Sequence, residues 1–348
     1  MNKLCRQVSI ESPGITMKDC ACYRMRRSPS ISSISSTSSV TSDLHESSSP
    51  AHHGVRDGAL FPGYEVAGIV DQLGCDLSPN CDVKVGQRVV LYPYDGIPHG
   101  YAEYIVVPDL KYLVPIPECL SLSVAAMLPT GALLAKNAVF TAQEYVQKLL
   151  DEIPDKNVCK ILIVGTGGLA LWAMRIAAHH FSSSECRNKV KITVASLRDE
   201  GFLLAKEFQK VNVVQWTEAL YEKQLIERTV DACDGLVDIV IDFGTTSRSL
   251  HRSLQCLNKG GVVLVSEEVA DRLLPKFSKR AEERQQHIRA VANGSVEQLA
   301  SLVQTVASGE IEPPPHTVFP ADQACEVVRK LCQSEIPGRA ILRFHDVE

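Results

Sequence analysis

Apolar and polar residues alternate with a period of two between residues 61 and 108, as at 64–70, 88–91 and 101–107, with glycines between the alternating stretches. Successive side chains on a strand point to opposite faces, so this pattern predicts short half-buried strands joined by turns, a small β-barrel-like unit. Another short strand is expected at 7–12, ahead of a turn at Pro13-Gly14. Near Leu120 the period changes. Residues 123–140 and 143–150 carry apolar positions at helical spacing, and beyond them strands and helices alternate. Apolar, β-branched runs at 160–164, 191–194, 237–241 and 261–265 are too short for helices and too uniformly apolar for a sheet with one wet face. Separated by helical segments, they predict a buried parallel sheet. A helix at 321–331 and a strand at 340–344 close the pattern.

One stretch follows neither period. Residues 28–50 hold 12 serines and hardly any large apolar side chains. Such a segment cannot bury enough surface to offset its chain entropy, so it is expected to be disordered. Arg24, Arg26 and Arg27 precede Ser28-Pro29, and Ser49-Pro50 closes the tract. Basic residues upstream of serine suit a kinase, and each phosphate would add about two negative charges. A phospho-dependent partner at this tract is one expectation; an inert insertion, tolerated because long surface loops cost little extra entropy, is the other.

Length and charge narrow the class. The 348 residues suffice for two domains, and a net charge of -5 gives neither nucleic acid nor an anionic membrane an attractive field. No apolar run approaches the roughly 20 residues of a membrane helix, and residues 1–10 lack the apolar core of a secretory signal. The 12 cysteines are scattered rather than spaced as a framework, so they read as reduced thiols of a cytoplasmic protein whose partner is a small-molecule substrate.

The most specific chemistry begins at 160. The strand KILIV (160–164) runs directly into GTGGLA (165–170) and then into helical spacing over 171–179. In this context Gly165 permits the tight turn, Gly167 lets backbone amides approach a pyrophosphate, and small Ala170 lets the helix pack on the sheet. The helix N-terminus offers unpaired N–H groups and partial positive charge to phosphates. Gly165, Thr166, Gly167, Gly168 and Leu169 are therefore the expected cofactor loop. The next strand, 192–195, ends in Ser196-Leu197-Arg198. A carboxylate there would bind the free ribose of NAD, whereas Ser196 and Arg198 suit the 2′-phosphate of NADP. NADP is the expected cofactor, and NAD is the alternative, with Asp199 and Glu200 as rival ribose ligands. Ser196 lies 31 residues past Gly165, beyond the usual ~20, a surplus assigned to the polar loop 182–188.

Several further motifs now form a set. FPGYEVAGIV at 61–70 resembles the P-G-H-E-x-x-G-x-V signature of medium-chain dehydrogenases/reductases; VGQRV at 85–89, GYAEY at 100–104, Gly260-Gly261 and GRAIL at 338–342 resemble that superfamily's other landmarks, in its order. The resemblance implies an α/β chain: a GroES-like, β-barrel-like catalytic domain plus a Rossmann domain with a doubly wound parallel sheet. The implied boundaries are 1–27 for a truncated start of the GroES-like domain, 28–56 for the serine-rich insertion, 57–125 for the catalytic domain, 126–292 for the nucleotide domain, and 293–348 for a C-terminal segment completing the catalytic domain. It also implies cofactor contacts from Gly244 and Thr245, from Ser266, and from Arg339. Relatives pair edge strands into homodimers, and by that analogy 261–265 would supply the edge here.

The chain departs from the family pattern at the metal. Zinc-dependent relatives use a cysteine in a G-x-C-x-[ST]-D loop, the histidine of P-G-H-E, and a later cysteine or aspartate. The matching positions here hold Thr16, Tyr64 and Thr130, none a good zinc ligand. Cys20, Cys22, His52, His53 and His99 do not rebuild a site, and 92–100 is too short for a structural zinc lobe. The expectation is a zinc-free protein. Without a Lewis acid, developing negative charge must meet a hydrogen bond or a proton donor, and Tyr64, Lys18 and Thr16 are the candidates. Tyr64 filling the vacated metal position, and Lys18 as an exposed loop charge, are the competing readings. The activity expected is NADPH-dependent, zinc-independent reduction of an activated carbonyl, enone or quinone. A catalytically inactive nucleotide-binding or regulatory protein is the alternative, and an alcohol dehydrogenase with atypical zinc ligands the minor one.

Overall fold

The computed structural model describes residues 3–10, 64–74, 81–94, 100, 102–153, 156–165, 167–183, 188–196, 199–217, 219–333 and 335–345. Thr16, Lys18, Thr166, Arg198 and the serine-rich tract lie outside the described residues.

Strands β1 (Lys3–Ile10), β2 (Val66–Gln72), β3 (Arg88–Leu91) and β4 (Leu113–Pro115) form an antiparallel ladder. After a single helical turn at Leu122–Ala125 and a wide, π-type turn at Leu128–Ala132, a long helix, Leu133–Glu152, leads into a second sheet. Its strands are β5 (Cys159–Val164), β6 (Val190–Ser196), β7 (Asn212–Gln215), β8 (Val237–Asp242), β9 (Leu257–Ser266) and β10 (His287–Val291), all parallel, in the order β10-β9-β8-β5-β6-β7. The chain then returns to the first sheet with β11 (His316–Pro320) and β12 (Arg339–Arg343), giving the order β11-β12-β1-β2-β3-β4. β12 pairs with β1, so strands from the two ends of the chain lie side by side.

The parallel sheet is buried on both faces, which explains its uniformly apolar strands. Ile161 and Ile163 of β5, Ile239 and Ile241 of β8, and Val262 and Leu264 of β9 face one core. Leu162, Val164, Val240, Val263 and Val265 face the other. Helices Leu133–Glu152, Gly168–Ser183 and Val296–Ala307 cover the first face; Ser247–Cys256 and Glu267–Glu283 cover the second.

The structure corrects several expectations. Leu133–Glu152 is one unbroken helix where the spacing predicts two, because small Ala142, fully buried, keeps its interior continuous. Described residues 102–107 hold only an isolated bridge where a strand is expected. Residues 261–265 lie inside β9, between β8 and β10, so they are no sheet edge; the edge on that side is β10. Cys81, Cys119, Cys159, Cys233 and Cys256 are in no disulfide, but Cys325 is disulfide-bonded, against the expectation of reduced thiols throughout. Among the described residues no helix is long and apolar enough to cross a membrane.

Candidate active site

β5 and β8 are neighbours, yet the chain leaves them in opposite directions across the sheet, toward β6 and β9. This is the topological switch point, where an open parallel sheet leaves a crevice at its carboxyl ends. Gly165 stands there at φ +149°, and its N–H donates to the Ala195 carbonyl at 3.0 Å. A Cβ on it would lie 3.0 Å from Ala170 Cβ and 3.3 Å from Phe243 Cβ, so both conformation and space require glycine. Gly167 is exposed at the crevice, and Gly168 and Leu169 open the helix Gly168–Ser183. The first amides of a helix have no partner within it, which is what suits such an N-terminus to phosphate.

Across this mouth lies Arg339, the first residue of β12, only 1% exposed. A Cβ on Gly168 would fall 2.5 Å from Arg339 Cδ and 2.7 Å from its Nη1. Arg339 Nη2 donates to Glu65 Oε2, and Glu65 is itself 6% exposed. Glu65 Oε1 accepts from the Thr130 hydroxyl and, at 2.8 Å, from the Gly131 N–H. Both donors belong to the π-type turn Leu128–Ala132, whose extra residue per turn brings a side chain and a main-chain amide onto one oxygen. Tyr64, next to Glu65, is half-buried and packs on the barrel core around Val66, Val89 and Leu113.

Asp242 closes β8 and is completely buried, its carboxylate accepting from the Gly244 N–H at 2.8 Å and the Ser253 hydroxyl at 2.9 Å. Burial pushes its pKa up to about 6, against the opposing pull of Gly244, Ser253 and Ser249. Gly244 is buried against Ser249, whereas Thr245 is exposed with φ +55°, a left-handed conformation unusual for a β-branched residue. Ser266 is half-buried at the N-cap of Glu267–Glu283.

At the end of β6, Ser196 is 1% exposed and its carbonyl accepts the Trp216 N–H at 2.7 Å. Trp216 donates its indole N–H to Thr229 and lies under the Arg252 guanidinium, 5.2 Å from the ring centre. Arg252 is held by both oxygens of Glu222, at 2.6 and 2.8 Å.

The structure thus brings Gly165, Gly167, Gly168 and Leu169 together with Arg339 at one mouth, and Gly244, Thr245 and Ser266 at the carboxyl ends of adjoining strands. Among the described residues no group of three or more His, Cys, Asp or Glu side chains could hold a metal ion. The donor set beside Tyr64 does not fit zinc: Thr130 spends its hydroxyl on Glu65, and both oxygens of Glu65 are engaged by protein donors. Sequence reasoning did not foresee the Glu65–Thr130 contact or the Asp242 network. For Asp242 the signal was present, an acid at the carboxyl end of the apolar strand VDIVID, whose other acid, Asp238, lies near its start.

Comparison with known proteins agrees with this architecture. The family model for zinc-binding dehydrogenases matches residues 218–342. A zinc-type alcohol dehydrogenase-like protein of Schizosaccharomyces pombe is 26% identical over 308 residues, 82% of each chain. Among solved structures, acetophenone reductase from Geotrichum candidum in complex with NAD aligns over 85% of this chain and 86% of its own, with 19% identity and a TM-score of 0.62. The quinone oxidoreductase from Coxiella burnetii aligns over 81% and 79%, with 20% identity and a TM-score of 0.58.

Proposed function

The chain belongs to the medium-chain dehydrogenase/reductase superfamily, and from that premise we propose that it is an NADPH-dependent, zinc-independent oxidoreductase that reduces an activated carbonyl, enone or quinone. The observation that carries the reading is the helix mouth: a glycine-only turn at a switch point, with a buried arginine laid across it. Gly167, Gly168 and Leu169 would hold the pyrophosphate through main-chain amides, and Arg339 would add a fixed positive charge. The absence of a carboxylate at the end of β6 supports NADPH, with Arg198 the residue that would meet its 2′-phosphate. Among the chain's structural relatives, an acetophenone reductase and a quinone oxidoreductase match the proposed substrate range.

When bound, the nicotinamide supplies hydride to the electrophilic carbon. The protein's share is position and charge. A conjugated acceptor spreads the developing negative charge, so a hydrogen bond can replace a metal. By its position in the family pattern Tyr64 would donate that bond and then a proton, which solvent restores; Thr16 and Lys18 are its rivals by sequence.

Fluorescence titration with NADPH and NADH, followed by a panel of enones, quinones and aldehydes, tests this. Tighter binding of NADPH, lost selectively in Arg198→Ala, and oxidation of NADPH by an enone or quinone are expected. Binding without turnover of any acceptor would turn the reading toward an inactive nucleotide-binding protein, and one tight zinc per chain would overturn zinc independence.

A further inference from the structure

We infer that Thr130, Glu65 and Arg339 form a positioning relay through which pyrophosphate at the Gly168 helix mouth and the Thr130–Glu65 hydrogen bond strengthen one another. The inference rests on the dinucleotide-binding reading and adds to it two residues, Thr130 and Glu65, that touch neither phosphate nor hydride.

The three side chains come from separate parts of the chain: Glu65 from the entry to β2, Thr130 from the π-type turn, and Arg339 from the start of β12. The fourth member of the contact, Gly168, belongs to the nucleotide helix, and Arg339 packs directly on it. Glu65 is the hub. It receives three donors: the guanidinium on one oxygen, the Thr130 hydroxyl and Gly131 amide on the other. A charged pair exposed by 6% and 1% is costly to bury and contributes little net stability even when fully bonded, so the role assigned to it is to specify geometry.

The direction of coupling follows from charge. In the free protein the guanidinium is neutralised by Glu65. A pyrophosphate arriving beside Gly168 competes for the same guanidinium and withdraws part of its charge from the carboxylate. Glu65 then shares less of its negative charge with the guanidinium, and its bond from Thr130 tightens. Because linkage is reciprocal, the Thr130 hydroxyl must strengthen pyrophosphate binding by the same factor that pyrophosphate strengthens the Thr130–Glu65 bond.

The test uses the full chain and three ligands: NADPH, ADP-ribose, which keeps the pyrophosphate, and adenosine, which lacks it. Thr130→Val keeps the side-chain volume and removes the donor. It should weaken ADP-ribose and NADPH alike by about tenfold, the scale of one hydrogen bond to a charged group, and leave adenosine unchanged. Thr130→Ser should restore both affinities. A merely structural Thr130 would lower the melting temperature in Thr130→Val without changing the ratio of ADP-ribose to adenosine affinity, and that result would overturn the relay. If the unmodified protein binds neither NADPH nor ADP-ribose, it is the dinucleotide-binding reading that fails. If it binds both and Thr130→Val binds them equally well, only the relay fails.

Discussion

Arg339 lies over Gly168 so closely that a methyl group on the glycine would sit 2.5 Å from the arginine Cδ. The two residues belong to different sheets' territories, one opening β12 and the other opening the helix that follows β5. Gly168 and Gly165 are therefore glycine for different reasons. Gly165 has both a left-handed backbone and a filled neighbourhood, whereas Gly168 needs only the space that Arg339 takes.

That distinction is measurable. Gly168→Ala should force a fully buried side chain aside, at the roughly 1–3 kcal/mol typical of overpacking, and should weaken ADP-ribose binding because the displaced group is Arg339. Urea unfolding of Gly168→Ala, Arg339→Ala and the double variant checks it. In the Arg339→Ala background the glycine substitution should cost almost nothing, and an undiminished penalty there would show that the two residues are not coupled.

The doubly wound sheet was legible because its inner strands are buried on both faces and write continuous apolar runs, as β5 and β8 do. β7, β10 and β11 were not legible, for the converse reason. They stand at sheet edges, and β10 exposes His287, Arg289 and Ala290, so no period survives in its sequence. The glycine loop was readable since a strand, tight turn and helix must follow one another locally. The grouping of Glu65, Thr130 and Arg339 was not, because it depends on strand pairing between distant segments, and no local pattern encodes which carboxylate an arginine will find.

Asp242 should give the protein a distinctive dependence on pH. Its folded pKa, pushed up by burial to about 6, exceeds the ordinary carboxylate value of 3.8, so the folded state holds this proton more tightly than the unfolded state. This contribution is fully present below pH 4 or so and is lost as pH rises toward the folded pKa, amounting to about 3 kcal/mol overall. Asp242→Asn keeps an acceptor for Gly244 and removes the titration. The difference in unfolding free energy between the unmodified protein and Asp242→Asn should decline from about pH 4 to pH 7, and a flat difference would refute the assignment.

Two ion pairs with similar geometry should behave differently. Arg252 has 7% of its side chain exposed and is bonded by both oxygens of Glu222, whereas Arg329 and Glu326 are each about half exposed. Glu326 has the larger shift, its carboxyl held down at about 2 chiefly by the Arg329 hydrogen bond, but water screens that pair on every side. Glu222→Gln should cost about 1–2 kcal/mol, below the usual figure for a broken buried pair because Glu222 is itself 40% exposed. Glu326→Gln should leave the unfolding midpoint unmoved. Burial of the cation, rather than the size of the carboxylate's pKa shift, is what the comparison isolates.

Gly309 and Gly338 make a cleaner pair, because their backbones nearly coincide at φ +78° and +75° while their surroundings do not. Around Gly309 a Cβ would meet nothing within 4 Å. At Gly338 the same atom would run into the Pro315 carbonyl, the group that accepts the Arg339 N–H at 3.0 Å and joins β11 to β12. Gly309→Ala should cost only the left-handed strain of about 1–2 kcal/mol. Gly338→Ala carries that strain and must also push β11 from β12, so its unfolding midpoint should fall well below that of Gly309→Ala. Because Arg339 is the next residue, ADP-ribose affinity should fall with it, while Gly309→Ala binds as the unmodified protein does. Equal midpoints for the two variants would mean that the β11–β12 junction yields freely, and that β12 does not hold Arg339 rigidly at the helix mouth.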